Sequence, residues 1–153
     1  MNLTPMNLDA RTAYRQGLAG TENPVQLVVL LYEQAAKDVR EALKALRAGD
    51  VERRTFELDH ALLVVGQLQA TLDMDRGGEV AKNLDRFYTM VRGRLLQAQI
   101  QSSAEILEEQ MNILLSMRET WQEVARRVQD LPPPPPVNVP AAPPAVPSGN
   151  WSA

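Results

Sequence analysis

Residues 23–50 read NPVQLVVLLYEQAAKDVREALKALRAGD, and this stretch decides the fold. Asn23 suits an N-cap, and Pro24 suits the first helical position, where its missing N–H costs nothing. Gln26, three residues after Asn23, completes a capping box. Val28, Leu31, Tyr32, Ala35, Val39, Ala42, Leu43 and Leu46 recur at spacings of three and four, which predicts a helix to about Ala48, ended by Gly49-Asp50. Leu27, Val29 and Leu30 add apolar side chains on the other faces of its first half. A helix apolar all round is buried on more than one side.

Three more helices follow. Val51 to about Leu72 carries Leu58, Ala61, Leu62, Val65, Leu68 and Leu72, widened by Leu63 and Val64. Asp73 to Gly78 breaks that pattern, because paired glycines suit a turn needing positive φ. Glu79 to about Ile100 carries Val80, Leu84, Phe87, Tyr88, Val91, Leu95 and Ala98. Ser102 starts the fourth helix with Glu105 in capping-box position, and Leu107, Met111, Leu114, Met117, Trp121, Val124 and Val128 run to about Gln129, with Ile106, Ile113 and Leu115 off the stripe. Four such helices on short turns bury their stripes together as an all-α, antiparallel, up-and-down four-helix bundle. The expected division is an N-terminal arm over 1–20, the bundle over 21–130, and a proline-rich tail over 131–153. The arm offers only two or three turns around Tyr14, marginal as an isolated helix. The tail holds most of the prolines and no charge, so it reads as extended and disordered. It lacks the flanking basic residue of an SH3-type ligand, so a plain tail is the better reading.

The composition narrows function. The chain has 153 residues and is 44% hydrophobic but only 5% aromatic, so its core is aliphatic. A net charge of −3 gives no basic field for nucleic acid. Cysteine is absent, which removes disulfides and thiolate metal sites. No signal peptide is evident near Met1, and no run approaches the ~18 apolar residues of a membrane span. The expectation is a cytoplasmic protein with no membrane insertion, a monomer or weak homodimer.

Chemical motifs are sparse. Glu57 and His60 match the Glu-x-x-His spacing of di-iron bundles, but that site needs a second such motif, and His60 is the single histidine. His60 therefore reads as a surface or boundary residue, with no metal and no cofactor. One histidine without cysteine builds no convincing nucleophilic triad. Gly77-Gly78 lacks the lysine and further glycines of a phosphate loop, and Glu79 repels an anion there. No enzyme is expected. The apolar surplus over Val25–Tyr32 exceeds a bundle's needs. Periodicity leaves two uses open: a cover for the arm, or a groove for a partner helix.

Several segments resemble the FliS family of flagellin-secretion chaperones. They are Ala13-Tyr14-Arg15-Gln16; Pro24 through Ala35 with its Leu30-Leu31-Tyr32-Glu33-Gln34-Ala35; Leu68 and Thr71-Leu72-Asp73; Gly77-Gly78-Glu79-Val80-Ala81, Asn83-Leu84 and Phe87-Tyr88; and Ala98, Leu115 and Met117-Arg118-Glu119-Thr120-Trp121. The match is collinear from about 11 to 127. Asn23 stands where the family usually has Ser, and Gln99 where it often has Asn. The resemblance implies a non-enzymatic chaperone that binds the disordered C-terminal segment of flagellin, prevents early polymerisation, and delivers it to the flagellar type III export gate. The expected flagellin groove comprises Leu27, Val29, Leu30 and Tyr32 with Ile106 and Ile113. Tyr14 and Leu18 are expected to cover part of it and to contact the export gate. The competing reading is a scaffolding bundle that self-associates through its surplus apolar face.

Overall fold

The structure, a computed structural model, describes residues 24–130. The readings of the arm, of Asn23 and of the tail lie outside the described residues. Four helices appear in chain order: α1 Pro24–Arg47, α2 Val51–Ala70, α3 Gly78–Gln101 and α4 Ala104–Asp130. No strand occurs among the described residues.

Each connection has a local chemical cause. Gly49 closes α1 at φ +72, a conformation glycine adopts without steric cost, while Lys44 and Arg47 complement the negative helix end. Asp50 then caps α2, its carboxylate accepting from the Arg53 N–H at 3.0 Å. The helix α2 stops two residues before Leu72, its last turn closed by the Thr71 N–H on the Gln67 carbonyl at 3.1 Å and by the Thr71 hydroxyl on the Leu68 carbonyl at 2.6 Å. Asp73 next accepts from the backbone N–H groups of Asp75 and Arg76. Gly77 and Gly78 serve different needs in this turn. A Cβ on Gly77 would lie 2.5 Å from the Ala81 Cβ and 2.7 Å from the Asp73 carbonyl oxygen, whereas Gly78 takes φ +55 in open space.

The last connection corrects the expected start of the fourth helix. Ser102 is left-handed at φ 49 and ends α3, so the cap moves on to Ser103. The Ser103 hydroxyl accepts from the Ile106 N–H at 3.2 Å, which leaves Glu105 too early for a capping box.

The helices form an antiparallel bundle with α1 packed closely against both α2 and α4, and with α3 lying more loosely against the other flanks of α2 and α4. Eleven α1 residues are buried against five on α3, so α1 is the central helix. Leu31, Ala35, Val39 and Ala42 meet Leu58, Ala61 and Val65 of α2, Val91 and Leu95 of α3, and Leu107 and Leu114 of α4 in one core. Burial of each large aliphatic side chain contributes ~1.5–3 kcal/mol. The surplus on α1 is largely absorbed this way: Leu27 and Val29 are buried, and Leu30 is half exposed.

Two polar devices set the pairing. Tyr32 of α1 and Tyr88 of α3 reach across the core, and the Tyr32 hydroxyl donates to that of Tyr88 at 2.8 Å. The seam between α2 and α3 is a side-chain network. Gln99 accepts from Arg54 at 3.1 Å and donates to Thr55 at 2.6 Å, and Gln69 donates to Asp85 and Thr89. Gln99 thus has a structural role in this chain.

Candidate functional site

The expected groove residues separate in space. Tyr32 is wholly buried and bonded to Tyr88, and burial, first, with the Tyr88 contact raises its hydroxyl pKa far above the ordinary value. Leu27 and Ile106 also belong to the core cluster. In an antiparallel bundle Ile106 sits near the opposite end from Leu27. Ile113 is half-buried near mid-helix in α4. Val29 and Leu30 do line a groove, with Gln26 and Glu33 of α1 and Gln122, Ala125 and Arg126 of α4, enclosing about 310 Å³. An ion pair between Arg118 and Glu33 at 3.8 Å also bridges α1 and α4. Tyr14 and Leu18 lie outside the described residues.

A second apolar strip was not anticipated. Val80, Val124 and Val128 belong to the stripes read from the sequence, yet the structure leaves them 67%, 37% and 40% exposed. Val80 lies in the first turn of α3 and Val124 and Val128 in the last turns of α4, so the antiparallel arrangement brings them to the same end of the bundle. Phe87 of α3 and Met117 and Trp121 of α4 are half-buried against the core. Val124 and Val128 sit on the flank of α4 toward α3, whereas Gln122 and Arg126 line its groove with α1. The last turns of α4 therefore have apolar surface on both sides. The buried positions at this end are the neighbouring alanines, Ala81 at 4% and Ala125 at 2%, so the stripe read from the sequence was one residue off at Val80 and Val124.

Other apolar residues stand out on α2 and α3. Val64 is buried as the widened stripe predicts, whereas Leu63 faces solvent together with Phe56. Leu96 and Ile100 are exposed on α3, Ile100 at 84%. Such outward residues escape a reading that searches only for the core stripe.

The polar candidates are engaged with one another. His60 is a boundary residue whose Nδ1 donates to Asp38 at 2.5 Å. That hydrogen bond raises its pKa above 6.5, burial opposes the shift, and the charges of Asp38 and Glu57 reinforce it. Glu57 is held by Arg53 at 2.7 Å. Among the described residues, no three carboxylate or imidazole groups converge as a metal site would require. Also among the described residues, no helix is long and apolar enough to cross a membrane.

Comparison with known proteins supplies what geometry does not. A family described as flagellar protein FliS matches residues 6–128. The flagellar secretion chaperone FliS of Campylobacter jejuni is 33% identical over 115 residues, covering 75% of this chain and 90% of the relative. That of Salmonella typhimurium is 33% identical over 104 residues, covering 67% and 77%. A crystal structure of a bacterial flagellar chaperone superposes with a TM-score of 0.65 at 14% identity, covering 79% of this chain and 98% of that one. At that identity the superposition speaks for the fold.

Proposed function

Since this chain belongs to the FliS family of flagellar secretion chaperones, we propose that it holds the disordered C-terminal segment of flagellin in the cytoplasm and hands it to the type III export gate. Family membership makes it a chaperone of flagellar export, not an enzyme. The finer reading rests on one observation: Val80, Val124 and Val128 stay exposed at the same end of the bundle as the α1–α4 groove at Val29 and Leu30. A disordered client docks on such surface as short amphipathic helices. The ordering entropy it loses keeps the complex releasable. In this proposal Val29, Leu30, Val80, Val124 and Val128 bind the client, and Ile113 extends the strip. Leu27 and Tyr32 support it from the core, and Ile106, near the opposite end of the bundle, falls outside it. Tyr14 and Leu18 contact the export gate once the client has bound.

Titration calorimetry with a flagellin C-terminal peptide tests this. The expected result is a stoichiometric complex that Val124→Asp with Val128→Asp weakens at least about tenfold, a loss of ~1.4 kcal/mol. Thermal unfolding should remain cooperative in that variant. Undiminished binding in the folded variant moves the client elsewhere. No binding by the native chain overturns the flagellin reading.

A further inference from the structure

Asp38 is a buried carboxylate at the α1–α2 interface, and both of its oxygens are engaged. Its Oδ1 accepts from Gln34 Nε2 at 2.8 Å, and its Oδ2 accepts from His60 Nδ1 at 2.5 Å. We propose that Asp38, Gln34 and His60 form a proton-sensitive clasp that holds α1 against α2 most firmly when the imidazole is charged.

The physical case starts from burial. A carboxylate out of water needs a charged partner or several donors, and the short bond to an imidazolium supplies the stronger kind. His60 keeps 28% of its side chain exposed, so it exchanges its proton without unfolding of the bundle. The two carboxylates that face it, Asp38 and Glu57, favour imidazolium. Asp38 faces it from α1, and Glu57 approaches from its own helix with Arg53 attached. Glu41 of α1 pairs with Lys44, and Lys37 and Arg40 are exposed to solvent. The helix α3 meets α2 on its other flank through Thr55 and Gln69, and α4 meets α1 on its other flank through Glu33 and Arg47.

The sign follows from the raised imidazole pKa. The clasp contributes fully below the unfolded value of 6.5, and its charged part is lost as pH rises through the folded value above it. The neutral ring still donates one hydrogen bond, so the clasp relaxes without parting. The helix it relaxes is also the one that carries Val29 and Leu30 into the groove with α4.

The single histidine makes the test direct, because its imidazole gives one set of NMR signals. In the native chain the signal should titrate above 6.5, and Asp38→Asn should move the titration down. From about pH 6 to about pH 9, the native Tm should fall on the order of 2–5 °C more than that of His60→Gln. Titration at or below 6.5, or equal Tm slopes in the two proteins, overturns the clasp. If Asp38→Asn fails to fold, the native titration and the His60→Gln comparison decide between these outcomes.

Discussion

Glycine to alanine is one chemical change, yet it should have opposite effects at two positions in this chain. At Gly77 the new Cβ would sit 2.5 Å from the Ala81 Cβ and 2.7 Å from a backbone oxygen, so the turn between α2 and α3 must shift. Gly77→Ala should cost about 1–3 kcal/mol, read as a lower midpoint in urea unfolding. Gly66 lies inside α2, and a Cβ there meets nothing within 4 Å. Gly66→Ala should stabilise by ~0.5–1 kcal/mol, because it adds helix propensity without a clash. The Gly77-Gly78 block, which carries much of the family resemblance, thus has a structural explanation in the turn it closes. Its two glycines were legible as a turn from the sequence. The contact between Gly77 and Ala81, four residues apart, needed coordinates, because it depends on how tightly Asp73 folds the backbone.

At the scale of the helices, the Tyr32–Tyr88 bond joins two elements that are not neighbours around the bundle. Tyr32→Phe leaves the Tyr88 hydroxyl buried without that partner, and each single variant should lose about 1–2 kcal/mol. The double variant should lose less than the sum, with a coupling of about 1 kcal/mol in a denaturant-unfolding cycle. Additive losses would show that the bond contributes nothing beyond two independent hydroxyls. Periodicity found all four helices because each stripe repeats over many turns. It put Ser102 in the wrong role, since a left-handed serine mimics glycine at a helix end. It was also blind to the pairing of His60 with Asp38, 22 residues apart, because a stripe gives a residue's face but not its partner across the seam. The expected groove scattered for the same reason: Leu27 and Val29 of the α1 surplus were covered by neighbours while Leu30 was not, and Val80, Val124 and Val128, read as stripe residues, were left bare.

For the whole molecule, residues 24–130 assemble one continuous core from all four helices. Truncation after Asp130 should therefore leave the thermal unfolding midpoint unchanged within a few degrees, a loss below ~1 kcal/mol. A larger fall would give the proline-rich segment a structural contact. The central place of α1 also has a consequence for the order in which the chain is made. Its widest apolar arc is shared between α2, which follows at once, and α4, which comes last. At roughly 5–20 residues per second on the ribosome, several seconds separate the emergence of α1 from that of α4. During that interval the nascent chain presents the uncovered flank of α1 to its surroundings. A chaperone of flagellar export thus passes through an unshielded stage of its own, which ends when α4 leaves the exit tunnel.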